Sequence, residues 1–167
     1  AKGVRVVMVT NSLATNNHTA VHSAYSGYRK DLLEAGVELW ETRADAVKTM
    51  DQDGSLKVEQ LTLHTKGILI DGRRVFAGSL NLDPRSVQIN TEMGLLIESE
   101  ALSSMLTRTS LEAIPDLAYR LRLDDRRRIQ WHATIDGDQV IETSEPQASW
   151  WLRFSAWVQK IAPEGQL

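Results

Sequence analysis

Apolar and polar residues alternate along several short stretches of the chain, and turn residues separate these stretches. Alternation with a period of two is typical of half-buried strands, because successive side chains of a strand point to opposite faces. This pattern, together with strand-type composition, predicts strands at residues 4–10, 37–41, 61–70, 73–77, 93–98, 129–135 and 139–143. Asp71-Gly72 and Asp136-Gly137-Asp138 supply turns between consecutive strands.

Three other segments have apolar residues at helical spacing. In the first, a stripe of apolar residues runs from Val21 through Tyr25 and Tyr28 to Leu32, and Gly36 is placed to end the helix. The second is predicted to begin after a Ser99 cap and to stop at Pro115. Because strands alternate with helices along the chain, the sequence predicts an α/β fold.

The third helical segment lies near the end of the chain and is rich in aromatic residues. Its apolar side chains fall within ~120° of a helical wheel, and they are Trp150, Trp151, Phe154, Trp157, Val158 and Ile161. Because such a stripe usually packs against a core, core packing is the favoured interpretation. The alternative is a helix at a bilayer interface, since tryptophans next to Arg153 and Lys160 suit the headgroup layer.

Length and composition predict one globular domain spanning residues 1–167. With 167 residues, 42% of them hydrophobic and 25% charged, the chain can build a single core. A net charge of −3 argues against a large basic surface for nucleic acid. The absence of cysteine excludes disulfides and cysteine-ligated metals. No apolar run approaches the length of a membrane span, so any membrane contact is expected to be peripheral.

The chemistry-bearing residues of the chain cluster in its middle third, at the spacing H-x-K-x₄-D-x₆-G-S-x-N. Those residues are His64, Lys66, Asp71, Gly78, Ser79 and Asn81. Six fixed types at fixed spacing arise by chance at ~10⁻⁸ per start point. A neutral imidazole can attack phosphorus, an ammonium can offset the negative charge that develops, and Ser79 and Asn81 can donate hydrogen bonds. The cluster therefore predicts a site that cleaves phosphodiesters, with no metal and no cofactor.

This signature resembles that of the phospholipase D superfamily at every position. Segments flanking the signature resemble the bacterial cardiolipin synthase branch, specifically the second half of its two-signature chains, at residues 9–13, 20–22, 28–39, 81–86 and 90–92. The resemblance implies a mixed β-sheet flanked by helices on both faces. It also implies metal-independent, two-step transfer through a phosphohistidine, at a site completed by a missing N-terminal half that carries the first signature.

The resemblance also suggests roles for residues at and outside the signature. Glu92 is expected to hold the histidine tautomer that leaves Nε2 free to attack, because a carboxylate can accept the Nδ1 proton. Asn11 and His22 lie in family-like stretches and are candidates for the border of the substrate cleft. Asp71 and Gly78 are expected to be structural members of the signature. His64 is either the nucleophile or the general acid, which one half-site does not decide.

Three function classes remain open at this stage. The favoured class is a phosphatidyltransferase or phospholipase that acts on phospholipids at the surface of a bacterial cell membrane. Cardiolipin synthesis is the favoured reaction. A nuclease-like phosphodiesterase shares the same signature, but the acidic composition makes nucleic acid a secondary hypothesis. The third class is an inactive half that only completes a fold. An isolated segment of this kind is expected to be catalytically silent, unless it forms a homodimer that places two copies of His64 opposite each other.

Overall fold

The computed structural model describes residues 3–16, 19–50, 56–59, 63–79 and 91–159. Within these ranges the elements are β1 (Val7–Asn11), α1 (Thr19–Glu34), β2 (Glu38–Thr42), β3 (Val47–Met50), β4 (Leu56–Glu59), β5 (Lys66–Ile70), β6 (Arg74–Gly78), β7 (Gly94–Glu98), α2 (Glu100–Leu117), β8 (Ala118–Leu123), β9 (Ile129–Ile135), β10 (Asp138–Glu142) and α3 (Trp150–Gln159). The predicted α/β class is confirmed.

The chain divides into two compact units. The first unit comprises residues 1–63 and 114–167, and the second comprises residues 64–113. The prediction that residues 1–167 are one domain, the second half of a two-signature protein, stays a prediction.

The first unit is built on a five-stranded sheet with the order β1-β2-β8-β9-β10. β1 and β2 pair in parallel and are joined by α1, whereas the remaining neighbours pair antiparallel. The sheet is therefore mixed, as predicted. β3 and β4 form a separate antiparallel pair.

One face of this sheet carries the core of the first unit. The buried side chains there are Leu39, Tyr119, Leu121, Trp131 and Ala133. α1 packs Tyr25, Leu32 and Leu33 against them. The helix ends as predicted at Gly36, whose φ is +86°. The Gly36 and Val37 amides donate to the carbonyls of Leu33 and Leu32, which satisfies the last turn.

The buried side of α1 differs from the predicted apolar stripe. Val21 and Tyr28 are exposed, whereas His22, Ser26 and Arg29 are buried. The polar side chains can enter the interior because they find partners there, and hydrophobicity alone does not reveal those partners. The predicted stripe is therefore wrong at two of its four positions.

Arg29 is the centre of a buried polar cluster, which we call the Arg29 cluster. Its guanidinium binds Glu41 of β2 through two hydrogen bonds, Nε to Oε1 at 2.6 Å and Nη2 to Oε2 at 2.9 Å. Nη1 donates to Glu145 Oε1 at 2.5 Å. Arg29 is 3% exposed and Glu41 is fully buried. The cluster therefore joins α1, the central sheet and the segment that follows β10.

Aromatic side chains complete this cluster. The Tyr25 hydroxyl and the Trp131 indole N–H each donate to a Glu41 oxygen at 2.9 Å. The guanidinium carbon of Arg29 lies 5.3 Å from the centre of the Tyr25 ring and 5.4 Å from that of Trp131. Because a guanidinium is attracted to the faces of aromatic rings, both rings stabilise the buried cation. Burial and the Glu41 carboxylate raise the pKa of the Tyr25 hydroxyl, so it remains a donor.

The second unit contains the antiparallel sheet β5-β6-β7 and most of α2. The Ser99 hydroxyl accepts from the Leu102 amide at 3.2 Å, which is the predicted cap. The Ser103 hydroxyl donates to the Arg74 carbonyl at 3.2 Å and so ties α2 to β6. The predicted stop at Pro115 is wrong: α2 includes Pro115 and continues to Leu117.

The favoured prediction of core packing for the last helix is wrong. The aromatic side chains of α3 are exposed, whereas its buried contacts come from Ala156 and Leu152. They pack with Leu13 and Ala148 in a small apolar cluster of the first unit. The Ser23 hydroxyl donates to the Ala156 carbonyl at 3.0 Å, so small residues let α1 and α3 approach closely.

We expect Glu145→Gln to destabilise the protein in a pH-dependent way. Burial alone would raise the pKa of Glu145, but its contacts with His22 and Arg29 lower the pKa to about 2. A carboxyl group whose pKa is lower in the folded state stabilises the fold at pH values above its unfolded-state pKa. This contribution is lost as the pH falls towards 2. Denaturant titrations should show a loss of about 3 kcal/mol at pH 7.

The loss should shrink as the pH falls from about 4.5 towards 2, where the native carboxyl also becomes protonated. Glu142→Gln, at an exposed position of β10, is the matched control and should change stability little at either pH. A loss of equal size at pH 7 and pH 2 would contradict the assigned ionisation.

Candidate active site

His64 and Lys66 lie at the start of the second unit, next to the first strand of its sheet. β5 begins at Lys66, so His64 precedes the strand, although the sequence pattern predicts strand from residue 61. The difference has a local cause. The backbone of Leu63 bonds to a side chain, with its amide donating to Asn11 Oδ1 at 2.7 Å and its carbonyl accepting from Asn11 Nδ2 at 2.8 Å. These two groups are therefore not available for strand pairing.

The ammonium of Lys66 lies against the imidazole of His64. Lys66 Nζ is 3.2 Å from Nε2 and 3.4 Å from Nδ1 of the ring. Nζ also donates to the His64 carbonyl at 3.1 Å. Since a neutral imidazole has one acceptor nitrogen, Lys66 donates to only one ring nitrogen at a time. His64 is exposed and Lys66 is half-buried, so an incoming anion can reach both side chains.

Ser79 directly follows β6 and Glu92 lies just before β7, and the two side chains contact each other. The Ser79 hydroxyl donates to Glu92 Oε2 at 2.5 Å and accepts from the Met93 amide at 3.0 Å. The Ser79 amide donates to the Met93 carbonyl at 2.9 Å. Ser79 is therefore fixed by Glu92 and by the start of β7. The proposed contact of Glu92 with the histidine ring stays a prediction, and Glu92 contacts the serine of the signature.

Two glycines bring the strands of this sheet close together. Lys66, Gly78 and Gly94 form one row across β5, β6 and β7. A Cβ at Gly78 would lie 2.6 Å from the Met93 carbonyl oxygen and 3.0 Å from Gly94 Cα. A Cβ at Gly94 would overlap the ring of Phe76. The row therefore has room for the Phe76 ring only because both positions lack a side chain.

Asp71 lies in the tight turn between β5 and β6. Its φ is +50° and that of Gly72 is +62°, and the Arg73 amide donates to the Ile70 carbonyl at 3.0 Å. Two consecutive residues with positive φ fit the twist of a two-residue hairpin, and Asp-Gly is a favoured pair there. The structure thus places Asp71 in the turn that connects β5 to β6.

The structure places the two cleft candidates in the first unit. Asn11 ends β1 and binds the backbone of Leu63, the residue that precedes His64. His22 is 1% exposed, and its Nε2 lies 3.1 Å from Arg29 Nη2 and 3.5 Å from Glu145 Oε1. His22 is thus a member of the Arg29 cluster. A role at the substrate cleft stays a prediction for both residues.

Asn81 lies outside the described residues. Among the residues that the structure does describe, no three His, Asp or Glu side chains are grouped so that they could hold a metal ion.

Sequence reasoning missed Gly94 and Glu145. Gly94 could have been suspected, because glycine at the start of a strand often marks a close approach of another group. Glu145 gave no such signal, since it is 123 residues from His22 and 116 from Arg29 along the chain.

Comparison with known proteins identifies the family of this chain. Residues 1–111 match the family described as "Cardiolipin synthase, PLD-like domain". This match covers more than half of the chain and includes the whole signature. The chain therefore belongs to the phospholipase D-like domains of the cardiolipin synthase type, as the resemblance predicts. No solved structure matches the chain at a significant level.

Individual relatives agree with this assignment. The chain is 40% identical over 164 residues to cardiolipin synthase C of Escherichia coli, which covers 97% of this chain and 35% of that protein. It is 32% identical over its full length to an uncharacterised protein of Helicobacter pylori, covering 32% of that protein. It is 28% identical to cardiolipin synthase A of Serratia proteamaculans over 81% of this chain and 24% of that enzyme. The chain thus spans about a third or less of these relatives.

We expect Gly78→Ala to destabilise the second unit and to displace Ser79. The added methyl group would meet backbone atoms of β7 that cannot move aside without breaking the strand pairing. Overpacking of this kind costs about 1–3 kcal/mol, which denaturant titration can measure.

Gly67→Ala is the matched control on the neighbouring strand. Its Cβ would lie 3.4 Å from the Phe76 carbonyl oxygen, an ordinary contact, so the same chemical change should be tolerated. Equal stability of the two variants would contradict the close approach of β6 and β7.

Proposed function

We propose that the intact protein containing this chain is a phosphatidyltransferase that makes cardiolipin through a phosphohistidine intermediate. The observation that supports this most directly is the contact of Lys66 Nζ with the His64 ring at 3.2 Å, within an intact signature. Membership of the cardiolipin synthase family and the similarity to cardiolipin synthase C support the choice of substrate.

In the first step His64 attacks the phosphorus of a phospholipid headgroup diester. A bond forms between Nε2 and phosphorus, and the bond from phosphorus to the headgroup oxygen breaks. The leaving oxygen takes a proton from a general acid, which we assign to the histidine of the first signature in another half of the protein. If His64 is itself the general acid, the histidine of the first signature forms the bond to phosphorus, and His64 protonates the leaving oxygen.

Lys66 changes its partner during this step. Its ammonium donates to the imidazole and to the His64 carbonyl in the structure, and a phosphate oxygen is a stronger acceptor than either. When a phosphodiester binds, Lys66 is expected to turn from the ring to the phosphate. This movement frees a ring nitrogen for attack and places a positive charge where negative charge develops.

In the second step the hydroxyl of an acceptor displaces His64 from phosphorus. With phosphatidylglycerol as the acceptor the product is cardiolipin, and with water it is phosphatidic acid. The group that donated a proton in the first step takes the hydroxyl proton in the second. Asn81 would donate a hydrogen bond to a phosphate oxygen. Ser79 would donate another after its hydroxyl turns away from Glu92, to which it donates at 2.5 Å in the structure.

The proposed substrates define the partners and the location of the protein. Residues 1–167 would be the second half of a two-signature protein, and the half with the first signature would complete the site. The protein would work at the surface of a bacterial membrane, where both the donor and the acceptor lipid reside.

We expect His64→Ala and Lys66→Ala to reduce turnover by at least about a hundredfold while leaving the fold intact. Both side chains are at least partly exposed and contribute little to a core. Turnover should be measured in the intact protein on phosphatidylglycerol, with single-stranded DNA as the competing substrate class, alongside thermal melting.

His132→Ala and Lys30→Ala are matched controls, since His132 lies on β9 and Lys30 is exposed on α1. Both should retain activity. A well-folded His64→Ala or Lys66→Ala variant with near-normal turnover would refute the site. Cleavage of DNA but not of phospholipid would favour the nuclease-like alternative.

We expect turnover to survive a chelator. In the proposed mechanism Lys66 supplies the positive charge next to the phosphate, and Ser79 and Asn81 supply neutral hydrogen-bond donors. Metal ions fill this role in many other phosphodiesterases. The measurement is turnover of the intact protein before and after dialysis against EDTA. Loss of activity that returns when Mg²⁺ or Zn²⁺ is added would contradict the mechanism.

A further inference from the structure

α3 exposes a continuous row of large apolar side chains, which we call the aromatic face. Trp150, Trp151 and Trp157 are 66%, 71% and 59% exposed, and Phe154 and Val158 are exposed beside them. The rings contact one another: the ring centres of Trp150 and Phe154 are 5.7 Å apart and those of Phe154 and Trp157 are 6.1 Å apart. Contiguous apolar surface of this kind marks an interaction site.

The opposite side of α3 is fixed to the first unit. Ala156 is buried, and its carbonyl accepts a hydrogen bond from Ser23 of α1. Arg153 is exposed and lies between Ala156 and Trp157 around the helix axis, at the border of the aromatic face. Its Nη2 donates to the Glu145 carbonyl at 2.7 Å, and the Glu145 carboxylate is held by Arg29. Because these contacts set the rotation of the helix about its axis, the aromatic face is directed outward from the first unit.

Charge around the aromatic face favours an anionic partner. α3 contains no acidic residue, and its one charged side chain is the exposed Arg153, although the whole chain has a net charge of −3. Among the arginines of residues 120–128, Arg128 pairs with Asp124, Arg127 with Glu34 and Arg120 with Glu38. Positive charge and exposed tryptophan therefore coincide at α3.

This combination fits the interface of a phospholipid bilayer. Tryptophan rings bury apolar surface at the headgroup level while the indole N–H stays in polar surroundings. A helix of 10 residues is about 15 Å long. No helix among the described residues is long and apolar enough to cross a membrane. A short amphipathic helix of this kind would lie along the surface.

We propose that the aromatic face of α3 docks the protein on anionic phospholipid bilayers, with the helix axis parallel to the membrane plane. Docking through this face does not depend on the chemistry of His64.

The test uses the intact protein and sedimentation with vesicles of phosphatidylcholine, either pure or mixed equally with phosphatidylglycerol. The wild type should bind the mixed vesicles better. The triple variant Trp150→Ser, Trp151→Ser, Trp157→Ser should bind them roughly tenfold or more weakly, since binding scales with the buried apolar area. Ile141→Ser, an exposed apolar position on β10, is the matched control and should bind like the wild type.

Two further measurements separate docking from catalysis. The triple variant should hydrolyse a soluble chromogenic phosphodiester at the wild-type rate. His64→Ala should lose this hydrolysis and keep vesicle binding. Failure of the proposed function would therefore appear in the hydrolysis assay and failure of docking in the sedimentation assay.

A second variant keeps the test decisive if the triple variant folds poorly. This chain has no cysteine, so Phe154→Cys can carry an environment-sensitive dye in the intact protein once every cysteine outside this chain is replaced by serine. The emission should shift to the blue when mixed vesicles are added. The proposal would be overturned if the folded triple variant bound vesicles as well as the wild type, or if the dye did not respond to vesicles. It would also be overturned if the triple variant had a lower molar mass than the wild type by light scattering, because the aromatic face would then be a contact between copies.

Discussion

The first unit depends on a guanidinium buried between two carboxylates. Arg29 comes from α1, Glu41 from β2 and Glu145 from the segment after β10, so one cation connects a helix, the sheet and the approach to α3. A buried ion pair often adds little net stability compared with apolar packing, but removing one partner leaves an uncompensated charge. Its main effect is therefore geometric: α1 can pack on the sheet only in the rotation that brings Arg29 to Glu41.

A steric constraint has the same role in the second unit. Gly78 and Gly94 leave space in the row that Lys66 begins, and the Phe76 ring occupies part of that space. The closeness of β6 and β7 then allows Ser79 to bond both to the backbone of Met93 and to the Glu92 carboxylate. The glycine of the signature thus acts indirectly, because it determines where the serine beside it can lie.

Elements that depend on neighbouring residues could be predicted from the sequence. β9 spans residues 129–135 as predicted, and the turn that follows has positive φ at Asp136 and Gly137. The spacing of the signature likewise identified His64 and Lys66 as a pair. Features that depend on distant partners could not be predicted. Asn11 is 52 residues from Leu63, and its amide binds the backbone of Leu63, whereas β5 begins only at Lys66.

The predicted buried sides of α1 and α3 were wrong for a related reason. A hydrophobic stripe predicts which side of a helix would gain most from burial, but packing also requires that the side chains fit the space available. α1 and α3 approach until the Ser23 hydroxyl reaches the Ala156 carbonyl at 3.0 Å, and only small side chains fit between helices at that distance. The tryptophans of α3 are too large for this contact. The close packing of α1 and α3 therefore places the aromatic side chains on the outside, although they are the largest apolar side chains of the helix.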